Sequence, residues 1–318
     1  VTDGGQLDNG RSADDLATNT MTTFVKCGDS GRGVKMTRLR LFVLVALLLS
    51  TAANGAPAQW LNYPTPGTPR TKDGKPDLAA PVPRTADHKP DLSGVWQVQP
   101  TSLAEWKRLF GDRIDAFNAP GSEIEYASKY IFNILMDFKP EEAPIRPEAT
   151  EILRRRTPSN IPSSNCLPLG IPAAGLGGAP IRIVQSPRLI VMMYEVDDTH
   201  RQIYTDGRDL PREVAQPSWL GYSVGKWEQD TLLVETAGFN DKTWLDLRGH
   251  PHSEALRIVE RYHRRDFGHM DVDMTFDDPQ MYTKPFTIKI SHNLLADSDI
   301  FESYCNENEK DRAHIGNK

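Results

Sequence analysis

The chain has 318 residues, 38% of them hydrophobic and 25% charged, with a formal net charge of −6. This is ordinary globular composition, which excludes a disordered or collagen-like chain. The acidic balance removes the electrostatic case for binding nucleic acid or an anionic membrane.

Met36-Thr37-Arg38-Leu39-Arg40 is a short basic segment, followed by an apolar run from Leu41 to Leu49 and then by small residues through Ala56-Pro57-Ala58. A basic, then apolar, then small-residue order is the layout of a secretory signal peptide. The apolar run falls short of the roughly 20 residues that a membrane-spanning helix needs. Residues 36–58 are therefore read as a signal peptide rather than an anchor. Met36 is read as the start of translation, and Val1–Lys35 as upstream sequence with no part in the fold. The mature chain, Gln59 to Lys318, is expected to be periplasmic or extracellular and free of the membrane.

Export gives the cysteines meaning. Cys27 falls in the discarded segment, leaving Cys166 and Cys305. They are expected to pair, with two separate buried thiols as the alternative.

Residues 59–90 are rich in proline and contain a near-repeat. Pro69-Arg70-Thr71-Lys72-Asp73-Gly74-Lys75-Pro76-Asp77-Leu78 returns as Pro83-Arg84-Thr85-Ala86-Asp87-His88-Lys89-Pro90-Asp91-Leu92. Proline fixes φ and removes amide donors, so this stretch reads as an extended strap across the main domain. A single domain, residues 91–318, follows.

Residues 101–156 read as a helical lead. Ser102 with Glu105, and Ser122 with Glu125, match capping boxes. Ile124, Ala127, Tyr130, Ile131, Ile134 and Leu135 keep helical spacing. Pro147-Glu148, with Arg154 to Arg156 at the far end, matches a helix with charges arranged along its dipole.

From Ile181 onward the texture becomes short β-like runs: 181–184, 189–195, 201–204, 222–227, 231–236, 256–263, 269–276, 286–290 and 300–304. Turn-rich pieces separate them. Many strands with short connections predict a mainly β fold, an antiparallel barrel or sandwich. Gly94-Val95-Trp96 resembles the G-x-W opening of lipocalin-like barrels.

The runs 256–263 and 269–276 pair about a turn near Asp266. This sets Leu256 against Phe276, Ile258 against Met274, Glu260 against Val272 and Tyr262 against Met270, all on one apolar face. Arg261 then faces Asp271, which predicts a cross-strand ion pair. Glu260 lies on the apolar face. There it is either a candidate acid or base, or a structural carboxylate held by a buried Arg or Tyr. His252 and His263 are about 36 Å apart if extended at roughly 3.3 Å per residue, so His250, His252, His263 and His269 share one metal only if the chain folds back.

The densest polar stretch holds Asn240, Asp241, Trp244, Asp246, His250, His252 and Glu254, and Asp277-Asp278 return toward it. Three readings compete. A divalent metal would use His250 and His252, because H-x-H on an extended segment aims both rings one way. A hydrolytic site would use Asp246, His252, Glu254 and Glu260 as catalytic groups on a glycan, with Trp244, Asn240, Asp241 and Trp227 binding it. The third is a loop knitted by Asx-turns around a buried His. Gly221-Tyr222-Ser223-Val224-Gly225 matches a nucleophile elbow formally, but strands flank it, and the strand-to-helix context is missing.

Asp91-Leu92-Ser93-Gly94-Val95-Trp96, Cys166-Leu167-Pro168, Gly221 to Trp227, Gly249-His250-Pro251-His252-Ser253-Glu254 and Cys305-Asn306-Glu307-Asn308 together resemble a family of secreted bacterial proteins of uncharacterised function. The resemblance implies export and carries no activity. The functional expectation is a secreted, carbohydrate-directed hydrolase. The alternative is a non-catalytic, lipocalin-like barrel that binds a small ligand.

Overall fold

The structure is a computed structural model that describes residues 63–116, 123–213 and 216–305. The signal-peptide and upstream readings lie outside these residues, as do Ser122 and Asn306 to Asn308. Among the described residues, no helix is long and apolar enough to cross a membrane.

Nine strands close into a barrel. They are β1 (Gly94–Val98), β2 (Ile181–Ser186), β3 (Leu189–Tyr194), β4 (His200–Tyr204) and β5 (Tyr222–Glu228). Then come β6 (Thr231–Ala237), β7 (Arg257–Arg264), β8 (His269–Asp277) and β9 (Phe286–Leu294). Each strand pairs with the next in sequence, and β9 pairs with β1 to close the ring. Buried and less buried residues alternate along β7, β8 and β9, so one row of side chains fills the interior.

The fold is thus the expected mainly β barrel, with three departures. First, β4 and β5 are parallel, joined through Ile203–Ser223 and Tyr204–Val224, while the other pairs are antiparallel. Second, residues 300–304 form no strand. Backbone amides there are instead held by acidic side chains, Phe301 by Glu195 and Ser303 by Asp198. Third, the β7–β8 register is Ile258–Phe276 and Glu260–Met274, two residues from the expected pairing.

That shift has a physical cause. Arg264 stays in the strand and turns inward, where its guanidinium lies 4.8 Å from the Trp96 ring. It donates to the carbonyls of Asp91, Asp266 and Phe267. The turn therefore centres on Phe267, with the amide of Gly268 and Nδ1 of His269 both meeting Asp266 Oδ1. A two-residue shift preserves the faces, so Glu260 still points inward. It does remove the Arg261–Asp271 pair. Arg261 instead donates to Glu228 at 2.9 Å, and Asp271 pairs with Arg265 at 3.1 Å.

The helical lead is broken into short pieces: α1 (Leu103–Phe110), α2 (Glu123–Tyr126), α3 (Lys129–Phe132) and α4 (Pro147–Arg155). Ser102 caps α1 through the Glu105 amide, but the Glu105 carboxylate pairs with Arg108 and Lys129 instead of reaching back. Ala127, Tyr130, Ile131, Ile134 and Leu135 are buried against the barrel as their spacing predicts, although Ser128 interrupts the helix to cap α3.

The proline-rich repeat is turned, not extended. Each copy closes on itself through Arg70–Pro76 and Arg84–Pro90 bridges. In each, the threonine amide donates to the lysine carbonyl at 2.9 Å, and the threonine hydroxyl meets an aspartate at 2.6 Å. Gly74 and His88 occupy the equivalent left-handed position, at φ 81° and 62°. The two arginines reach loops of the barrel: Arg70 clamps Asp297 and Arg84 clamps Asp230, each through two hydrogen bonds. Near-identical local sequence thus gives matching turns with the same ion-pair chemistry.

Cys166 and Cys305 are bonded across 139 residues. Loop-closure entropy predicts that removing the bond costs about 2–5 kcal/mol. A Cys166→Ser chain should unfold at correspondingly lower urea in equilibrium denaturation. An unchanged midpoint would show that the bond does not constrain the unfolded chain.

Candidate functional site

The polar groups singled out from sequence fall into three separate places. Asp246 and His250 form the first. Asp246 is fully buried and accepts from the amides of Ile134, Gly249 and His250 at 2.6, 2.9 and 3.1 Å, while its Oδ2 meets His250 Nδ1 at 2.5 Å. A carboxylate taking this many donors is a structural staple that joins the helical lead to the loop before β7.

The second place is an outer pocket of about 410 Å³ lined by Arg156, Asp241, His252 and Glu254. His252 is buried with both ring nitrogens engaged: Nε2 meets Thr243 Oγ1 at 2.6 Å and Nδ1 meets the Ser253 carbonyl at 3.2 Å. Burial lowers its pKa, so the neutral ring donates from Nδ1 and accepts the threonine hydroxyl proton at Nε2. Asp278 does return to this end, as expected, and binds both the amide and the hydroxyl of Ser253 at 2.6 and 2.8 Å. Trp244 is buried beneath Arg156, whose guanidinium lies 4.9 Å from its ring, so it offers no stacking platform. Asn240 is buried and accepts the Lys242 amide. Trp227 is half-buried on β5, opposite Leu232. His250 and His252 have different partners, Asp246 for the first and Thr243 with the Ser253 carbonyl for the second. Among the described residues, no group of three or more His, Cys, Asp or Glu is placed to hold a metal.

The third place is the barrel interior, and it holds Glu260. This carboxylate is 1% exposed and paired with Arg201, which is 2% exposed. Arg201 Nη1 donates to Glu260 Oε1 at 3.1 Å, and Nη2 donates to Oε2 and, at 2.5 Å, to Thr236 Oγ1. Its Nε donates to Ser223 Oγ at 2.8 Å, and the Tyr262 hydroxyl donates to Glu260 Oε1 at 2.6 Å. Of the two sequence readings of Glu260, the structure gives the carboxylate held by a buried Arg and Tyr. Burial, the largest single influence, would lower the Arg201 pKa, but the charge and hydrogen bonds of Glu260, with Tyr194 and Tyr262, together raise it. Burial, followed by the charge of Glu260, drives the Tyr262 pKa well above its usual value, so the phenol stays protonated.

Beside this network lies a cavity of about 30 Å³, room for about two water molecules. Its wall is mostly apolar and includes Trp96, Met192, Met270 and Met274, and the segment from Ile171 to Leu176 covers one side. Glu260, Tyr262, Tyr194 and His292 also line it. His292 is 5% exposed, and its Nδ1 has no hydrogen-bond partner. Among the described residues, the other buried side-chain atom without a partner is Trp106 Nε1, away from the cavity. Burial lowers the His292 pKa to about 4, so the ring is neutral at physiological pH.

Sequence reasoning missed His292, Arg201, Tyr194 and Met192. The signal for His292 was present. Phe286, Ile288, Ile290, His292 and Leu294 keep strict alternation, but the strand was ended at Ile290.

No protein-family model, curated protein or solved structure matches the chain.

Two outcomes follow from the site. Glu260→Gln leaves Arg201 buried without its counter-charge and should destabilise the fold by about 3–5 kcal/mol in urea unfolding, whereas a change within about 0.5 kcal/mol would contradict the burial of the pair. The depressed pKa of His292 makes stability depend on pH. The unfolded ring, near 6.5, binds a proton that the folded ring refuses down to about 4. Stability is therefore full above about pH 6.5 and falls as pH drops toward 4, by roughly 3 kcal/mol from this group. His292→Leu should flatten that limb of the stability–pH curve; an unaltered limb would locate the proton elsewhere.

Proposed function

We propose that this protein is an exported binding protein that holds a small guest inside its barrel, and that it is not a hydrolase. The observation that carries this reading is His292: a neutral imidazole, almost wholly buried, that lines a mostly apolar cavity and whose Nδ1 has no hydrogen-bond partner. A polar atom left without a partner in an apolar interior costs about 1–3 kcal/mol, and a bound guest supplies the missing partner.

The arrangement of the carboxylates supports the same choice. A glycoside hydrolase needs two carboxyl groups facing one bond. The three carboxylates expected to be catalytic are divided: Glu260 lines the interior, Glu254 lines the outer pocket beside Asp241, and Asp246 lies in neither. Glu260 is also committed on both oxygens. Export is supported by the Cys166–Cys305 bond, which suits an oxidising compartment, and by the basic–apolar–small order of residues 36–58. The resemblance to secreted bacterial proteins agrees with it.

Xenon is a suitable probe of the interior, because it enters small apolar cavities. Methyl resonances of Ile183, Met192, Val272 and Met274 should shift together under xenon, while surface methyls stay put. A guest at about 100 times its Kd should add about 2.7 kcal/mol of stability. Hydrolysis of any glycoside or ester that is lost in a folded Glu260→Gln or His252→Ala chain would overturn the reading.

A further inference from the structure

We propose that the outer pocket is a second binding site and takes a small zwitterion of the amino-acid class, with its carboxylate on Arg156 and its ammonium group toward Asp241 and Glu254. This site shares no lining residue with the barrel interior and does not rest on the interior-binding reading.

Arg154, Arg155 and Arg156 close α4. The first two are in solvent and pair with Glu151 at 3.6 and 2.8 Å. Arg156 turns the other way and lines the pocket with Ile152, one helical turn earlier. Its stem lies against Gly249, where φ is 101° and an added Cβ would stand 3.0 Å from the Arg156 Cβ. Its Nη1 donates to the Gly249 carbonyl at 3.0 Å, and its guanidinium lies 4.9 Å from the Trp244 ring. The Gly249 amide is itself held by Asp246, so the buried staple also sets the guanidinium in place.

This guanidinium lacks an anion. Arg201 is engaged by Glu260, Ser223 and Thr236, and Arg264 by three backbone carbonyls. Among the described residues, Arg156 has one protein acceptor and no ion pair, and its Nε and Nη2 bond to nothing. Burial lowers its pKa to about 10, and the charges of Tyr282, Asp246 and Asp241 offset only part of that cost. The group is still cationic at neutral pH. A free Nε–H beside a free Nη2–H is the fork that a carboxylate fills with two parallel hydrogen bonds.

The rim carries the opposite sign. Asp241 and Glu254 line the same pocket and are exposed, with no bonded cation among the described residues. The charge of Asp241 acts on both Arg156 and His252, yet it bonds to neither. His252, neutral and engaged at both ring nitrogens, adds no charge. A simple anion meets two carboxylates here, and a simple cation meets the guanidinium. A molecule with both charges finds a partner for each. Ile152, Pro251 and Met281 give its apolar body a wall, and about 410 Å³ is the size of a small-molecule site.

The test is isothermal titration calorimetry of the full chain with probes that differ in charge. Leucine and δ-aminovalerate carry both charges at different spacings, N-acetyl-leucine carries the anion alone and isopentylamine the cation alone. At least one zwitterion should bind with a Kd below about 1 mM, and the single-charge probes at least about tenfold more weakly. Arg156→Gln should weaken the zwitterion by at least about tenfold. That change also disturbs packing on Trp244, so the exposed rim supplies a second arm. Asp241→Asn combined with Glu254→Gln should weaken the zwitterion about fivefold and leave N-acetyl-leucine no weaker. Three results would each overturn the site: neither zwitterion binds, N-acetyl-leucine binds as tightly as the zwitterion, or the rim double variant binds the zwitterion like the parent chain. Xenon entry into the barrel is a separate measurement that none of these results predicts.

Discussion

An ion pair sealed inside a closed sheet is the constraint on which this molecule turns. Arg201 comes from β4 and Glu260 from β7, and neither meets solvent. A charge pair in such surroundings is expensive to desolvate and holds only where geometry and further hydrogen bonds are good. Here Ser223, Thr236 and Tyr262 supply those bonds from β5, β6 and β7. The network thereby ties together four strands around the point where the ladder runs parallel, between β4 and β5.

That commitment decides what the remaining interior can do. Once Arg201 and Glu260 satisfy each other, the wall has no free charge to offer a guest. The groups left are tyrosine hydroxyls, methionine sulfurs and one neutral imidazole. The barrel end near Trp96 is closed by Arg264, whose guanidinium stacks on the indole and takes three backbone carbonyls. The opposite flank is covered by Ile171 to Leu176, and Gly170 before it, at φ 74°, lies so close to Thr243 that a Cβ would stand 2.6 Å from its Cγ2. Thr243 in turn orients His252. The outer pocket and the inner cover are therefore mechanically adjacent even though their chemistry is separate.

Much of the frame was legible in the sequence. Alternation marked the strands from β2 to β9 and placed Glu260 on the inner face, because a period of two survives a register error of two. The register itself was not legible. It depends on Arg264 finding carbonyl partners in Asp91 and Phe267, and a residue 173 positions away leaves no local signal. The Arg261–Asp271 pair failed for the same reason. The repeat of residues 69–92 was visible as sequence, but its turns were not, because proline content alone does not distinguish an extended strap from a closed Asx-rich turn. The site was the least legible part. Histidines and carboxylates clustered along the chain between residues 240 and 254 drew attention as chemistry, yet Asp246, His250 and His252 are bonded to one another, to Thr243 and to the backbone. The functional candidate was a lone histidine at the end of a strand, and its meaning lies in what it does not touch.

The central claim is that His292 waits for a partner other than solvent. A high-resolution crystal structure of protein purified without chelators tests it most directly, through the density beside Nδ1. The account predicts a feature bonded to that nitrogen and too large to be water. A single water bridging His292 to other polar groups, or apolar packing that leaves no space there, would contradict it.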